Sequence, residues 1–213
     1  MRGVLGVLLL VVAHASTARA AGRCQDCVSA GAAAVDLKIP PGTPLAGYGS
    51  LARRLFVPDL FGRSPHAFWF KPHDGQMDPL RARAVVLEGS GRRLVWIAAD
   101  LVAVDRALTA AVTARIGAGG LSGADVLISA SHTHSGPGAF LHARLLGVVS
   151  VDQEDPEVRE SVVAAMADAA LEAYRARQPA RIGAASRIGP DVTVGRIGLP
   201  VDRDLLVLRI ESE

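Results

Sequence analysis

From residue 32 onward, short apolar runs of β type alternate with stretches of helical spacing, and no internal repeat or low-complexity linker interrupts them. Ala32 to Leu37 reads as a first strand, closed by Pro40-Pro41-Gly42. The Gly- and Pro-rich stretch from Pro40 to Pro79 reads as mostly loop. Arg83 to Leu87 and Leu94 to Ala99 form a hairpin about the turn Gly89-Ser90-Gly91. Asp105 caps a helix whose apolar face is Leu108, Ala111, Val112 and Ile116, ending near Gly117 to Gly120. Val126 to Ala130 is a continuous apolar strand. A longer helix starts at Asp155-Pro156, runs to about Arg177 and places Val158, Val162, Ala165, Met166, Ala169 and Ala173 on one face. Arg181 to Ala185 and Leu205 to Ile210 complete the strands. The pattern predicts an α/β fold: a mixed β-sheet with flanking helices, an incomplete single domain, since its last strand runs almost to Glu213.

The first twenty residues obey a different rule. Arg2, the apolar run Val4 to Ala13 and Ala18-Arg19-Ala20 have the layout of a signal peptide cleaved after Ala20. The apolar run is too short for a bilayer, which needs roughly 20 residues. The expectation is a secreted or periplasmic protein. Cys24 and Cys27 are the only cysteines and fall in a tail, residues 21–31, without helical pattern. A local disulfide suits them better than a redox centre or half a zinc clip. Composition alters this picture little: the chain is 50% hydrophobic and 21% charged, with a formal charge of +2. Its basic residues are mostly arginines spread along the sequence, which offers no stripe for nucleic acid.

The candidate chemistry lies in Ser129-Ala130-Ser131-His132-Thr133-His134-Ser135-Gly136-Pro137-Gly138, immediately after the apolar strand. Sites in α/β folds favour the carboxyl ends of strands. In extended chain, residues two apart project to the same side, so His132 and His134 can converge on one point. Both can coordinate a metal, or one can coordinate while the other serves a substrate; equally, both can satisfy backbone groups at a sheet edge. Gly136 and Gly138 leave two readings open: backbone N–H groups approaching an oxyanion, or a plain turn.

The string Ser-His-Thr-His-Ser-Gly-Pro-Gly at 131–138 resembles the motif of the neutral, non-lysosomal ceramidases, which carry threonine more often at the position of Ser131. Ala34-Val35-Asp36, Pro40-Pro41, Gly47-Tyr48-Gly49, Asp78-Pro79-Leu80, Arg83-Ala84 and Ala99-Asp100 are similar to further segments of that family, in the same order. Val194-Gly195-Arg196 is similar to a segment where the family has asparagine before an arginine; Gly195 departs from it. The resemblance implies that residues 32–213 are the N-terminal part of a catalytic domain that hydrolyses the amide bond of ceramide-like N-acyl sphingoid lipids with one Zn2+. It implies His132 as a metal ligand, with His134 and Arg196 holding the substrate oxygen. A lipid amide substrate also implies peripheral contact with a membrane. The family draws a further histidine, a glutamate and a tyrosine from outside the matched region.

Four of the five phenylalanines and one tryptophan lie between Leu55 and Phe70, where they either pack beneath a long loop or line an acyl slot. Asp100 and Asp105 are candidates to orient a metal-binding histidine by hydrogen-bonding its ring, although helix capping alone explains Asp105. His73-Asp74 reads as a polar loop pair. Two other functions remain compatible with the sequence: a secreted domain that keeps the fold without catalysis, and a metal-dependent hydrolase of another amide or ester.

Overall fold

Alternating side chains decide which face of the sheet is buried. On Arg81–Gly89 (β2), Ala82, Ala84 and Val86 are buried, as are Val95, Ile97 and Ala99 on Arg92–Ala99 (β3). The computed structural model describes residues 28–47, 50–55, 57–195 and 197–212. The expected leader, Cys24, Cys27, Tyr48, Gly49, Phe56 and Arg196 lie outside the described residues.

Val28–Asp36 (β1) pairs antiparallel with β2, and its register starts four residues earlier than the apolar run indicates, so 28–31 belong to the sheet. β2 and β3 form the expected hairpin, closed by Ser90 and Gly91, both at positive φ as a tight two-residue turn requires. Arg106–Ile116 (α1) carries the chain across to Asp125–Ala130 (β4), which lies parallel to β3. A single turn, Arg144–Leu146 (α2), precedes the long helix Pro156–Arg175 (α3). Gln178–Ile188 (β5) pairs with β1 only through Gln178, Pro179 and Ala180, and with Asp204–Ser212 (β6) along its whole length. The sheet order is β4-β3-β2-β1-β5-β6.

Both long helices begin as the sequence dictates. The Asp105 carboxylate accepts from Leu108 N–H at 2.6 Å, and Asp155 accepts from the N–H groups of Glu157 and Val158, with Pro156 in the first turn. α1 buries Leu108, Val112 and Ile116; α3 buries Val158, Val162, Ala165, Met166, Ala169 and Ala173. These faces cover one side of the sheet, each large side chain contributing roughly 1.5–3 kcal/mol by leaving water. The opposite side, which carries Val85, Trp96 and Leu127, has no helix on it among the described residues.

Because β3 and β4 are parallel, their carboxyl ends emerge at the same edge, Ala99 beside Ala130. The loops that leave them enclose the histidine segment.

Candidate functional site

Ser131 stays in the sheet, its N–H donating to Ala99 O at 3.0 Å. His132 leaves it abruptly, with φ at 59°. A non-glycine residue in this left-handed region is uncommon and costs about 1–3 kcal/mol unless its surroundings hold it there. Here the loop after β3 does so: the His132 ring nitrogen Nδ1 lies 2.6 Å from Val102 O. A carbonyl only accepts, so Nδ1 carries a proton, and in the neutral ring that leaves the lone pair on Nε2. That Nε2 lies 3.4 Å from His134 Nε2, and the two rings stand edge to face with centroids 4.9 Å apart. The imidazoles therefore converge as expected, but by a left-handed turn and not by strand alternation.

His134 is held from the other side. Gly47, at φ 111°, runs its backbone so close that a Cβ there would lie 2.5 Å from His134 Nδ1. Gly47 N–H in turn donates to Ser150 O at 2.8 Å. The Gly-Pro-Gly segment is a packing device. Gly138 N–H donates to Pro44 O at 2.6 Å, and a Cβ on Gly138 would meet Val151 O at 2.5 Å. Its N–H is thus committed within the fold, which removes Gly138 as an oxyanion donor.

The two aspartates considered as orienting partners for a histidine are engaged elsewhere. Asp100 accepts from Arg81 N–H and from the Arg83 guanidinium, and Asp105 divides its oxygens between the α1 cap and His142 N–H. The orienting partner of His132 is the Val102 carbonyl, which no side-chain pattern announces. His73 Nδ1 contacts Gly75 O within its own loop, His142 pairs with Glu154, and His66 sits against Asp155 and Glu157 at the start of α3.

The aromatic segment divides between the two expectations. Phe70 is buried, Phe68 and Trp69 are half-buried in edge-to-face contact, and Phe61 projects into solvent. Asp152 fixes this segment and was not legible beforehand. Buried and at φ 69°, its carboxylate accepts from the backbone N–H groups of Phe68, Trp69, Phe70 and Gln153. The aspartate closing the apolar stretch Leu145 to Val151 was the available signal.

Two imidazole nitrogens bound to one tetrahedral zinc stand about 3.4 Å apart, given Zn–N bonds of about 2.0–2.1 Å. The spacing seen here would let both rings share one ion, or let His132 hold it through Nε2 while His134 Nε2 serves a group bound beside it, and the Nδ1 anchor on Val102 is the kind of outer contact that orients a metal-binding histidine. The two histidines fit part of such a site: no group of three or more His, Cys, Asp or Glu able to hold a metal occurs among the described residues.

A sequence profile described as neutral/alkaline non-lysosomal ceramidase, N-terminal, matches residues 71–196. A neutral ceramidase from Pseudomonas aeruginosa is 46% identical over 66 residues, covering 29% of this chain and 10% of that protein. The crystal structure of neutral ceramidase from Pseudomonas aeruginosa superposes with a TM-score of 0.67 at 23% identity, over 88% of this chain and 30% of that one. A ceramidase complexed with C2 gives 0.66 at 23% identity, over 88% and 29%. The chain thus spans less than a third of the length of these relatives.

Proposed function

The chain belongs to the neutral/alkaline non-lysosomal ceramidase family, and from that membership we propose that it forms part of a hydrolase of ceramide-like lipid amides, with His132 as a zinc ligand. The observation that carries the proposal is the pair of Nε2 atoms 3.4 Å apart, one ring already anchored through Nδ1.

His132 would hold the ion through Nε2, with Val102 O fixing the ring. Zinc bound there would polarise the amide carbonyl. His134 would donate from Nε2 to the carbonyl oxygen, steadied by the Gly47 backbone against its ring. Such a preorganised donor contributes roughly 2.7–4 kcal/mol to transition-state stabilisation. Arg196 is assigned beside the same oxygen on the family motif alone. The remaining ligands would come from chain outside the region described. The leader-like N-terminus places the mature protein outside the cytoplasm in this reading, and a lipid substrate brings it into peripheral contact with a membrane.

A titration with zinc, followed by imidazole nitrogen NMR, tests the ligand assignment. Selective shifts of the His132 and His134 ring signals, absent in His132→Gln, are expected; unchanged rings at saturating zinc would refute it. Release of sphingoid base from an N-acyl sphingosine, abolished by chelation and restored by zinc, tests the reaction. The catalytically silent domain has one observation in its favour, the incomplete ligand set. It predicts neither shifts nor release. Cleavage of short non-lipid amides or esters in preference to N-acyl sphingosines would instead reassign the substrate.

A further inference from the structure

The chain from Leu145 to Asp152 borders the histidine edge without a core of its own. Of its apolar side chains only Val151 is buried, and Leu145, Leu146, Val148 and Val149 lie in solvent, so hydrophobic burial does not set where this turn sits. Polar ties do. Ser150 O accepts at 2.8 Å from Gly47 N–H, whose backbone presses on the His134 ring. Val151 O accepts at 2.5 Å from Ala139 N–H, directly after Gly136-Pro137-Gly138. The Asp152 carboxylate accepts from the N–H groups of Phe68, Trp69 and Phe70. Three consecutive residues thus hold three separate segments of chain.

Outside the turn, the Arg54 guanidinium lies over the Phe70 ring at 4.9 Å and donates to Val148 O, which clamps it from its exposed side. Within the network, the backbone is left-handed at Asp152, φ 69°, and at Ala139, φ 56°. Non-glycine residues keep that conformation only where their surroundings over-determine it, and they gather at functional sites. An aspartate that merely capped a loop would need neither this strain nor the neighbouring carbonyl tie to Gly47. His132 differs: its ring is anchored on Val102 O, in another loop, so the turn bears on one imidazole of the pair.

We propose that Asp152 is a positioning residue for His134. By gripping residues 68–70 it fixes the turn, and the turn, through Ser150 O, sets the Gly47 backbone against the imidazole. Arg54 is the second clamp on the same turn. The consequence for catalysis rests on the lipid-amide reading; the coupling between Asp152 and the ring does not. A catalytic group misplaced by about 1 Å can cost about a hundredfold in rate, so a clamp that never touches the substrate still has leverage on it.

Ring-nitrogen NMR of the zinc-free chain tests the coupling, with His132→Gln identifying the two signals. Asp152→Asn keeps the size of the side chain and suits a positive φ, but turns one acceptor oxygen into a donor facing N–H groups. Arg54→Met keeps an apolar stem on Phe70 and loses the donor to Val148 O. Both should displace the His134 signal well beyond that of His132. Met166→Ala, buried on α3, is the control: it also lowers stability but should move neither ring. An unmoved His134 in both variants, equal displacement of the two rings, or the same displacement in Met166→Ala overturns the proposal. Should Asp152→Asn not fold, Arg54→Met decides alone, since Arg54 lies outside the core. In the release of sphingoid base, Asp152→Asn should lower kcat about tenfold to a hundredfold at nearly constant KM, and an unchanged kcat overturns the catalytic role. A parent that releases no sphingoid base removes the functional reading and leaves the ring test standing. Release by the parent with rings unmoved in the variants removes the positioning alone.

Discussion

His132 combines a strained backbone with a useful ring, so replacements can separate fold from function. Asparagine tolerates the left-handed region better than most residues. His132→Asn should leave the thermal midpoint close to that of the parent while abolishing the zinc-induced shift of the remaining ring, His134. Collapse of the fold would mean that the Val102 contact is structural first. Gly47→Ala acts on the other ring. Its added methyl would lie 2.5 Å from His134 Nδ1, at a φ of 111° that alanine avoids. A loss of about 1–3 kcal/mol in denaturant unfolding is expected, together with a displaced His134 signal. Asp152 is a third such position. Asp152→Ala strands several backbone N–H groups at once, and urea titration should register a loss of about 3 kcal/mol, with Asp152→Asn recovering part.

Elements were legible in the sequence wherever one face meets one core. The β2–β3 hairpin, the strand before the histidines and both long helices were expected, and the structure has them, because alternation and i, i+3, i+4 spacing respond to burial on a single side. The β5–β1 pairing was not legible, since it rests on only three residues and joins strands far apart in sequence. Nor were the α2 turn with its continuation to Val151, or the carbonyl that orients His132, because backbone acceptors have no residue signature.

Ion pairs tie these elements together at one conspicuous point. Glu88 at the end of β2 meets Arg93 on β3 at 3.0 Å and Arg177 beyond α3 at 3.2 Å. The hydrogen bond from Arg93, more than the charge of Arg177, holds its carboxyl below the usual value of 4.5. A carboxylate depressed in the folded state contributes stability that is complete above that value and is lost as pH falls through the lower folded one. The thermal midpoint should therefore decline as pH drops below 4.5, and Glu88→Gln should show a lower midpoint at neutral pH with a shallower acid limb. Parallel acid limbs in the two proteins would assign the transition to other carboxylates.

At the scale of the molecule, the sheet is covered on one side only. Register places Val85, Trp96 and Leu127 in one row across β2, β3 and β4 on the side away from the helices. The β5–β6 pair extends this surface past β1, and it is bare on both sides: Leu206 and Leu208 follow Ile182 on the outer face, while Leu205 and Val207 alternate with them on the helix side. Among the described residues β6 is also an edge, with one row of backbone donors and acceptors left to pair. An edge strand that has no proline and exposes Leu205, Leu206, Val207 and Leu208 in a row, with the charges of Arg209 and Glu211 confined to the far end, is a template for association, so the chain in isolation should self-associate as its concentration rises. Lysine on an edge is the device natural sheets use against this. Leu206→Lys with Leu208→Lys should hold the light-scattering mass at that of a monomer across the range where the parent grows. The thermal midpoint should stay unchanged, since neither side chain is buried. If the parent remains monomeric throughout, or the double variant assembles equally well, β6 is not the adhesive edge, and the row through Trp96 and Leu127 becomes the surface to charge next.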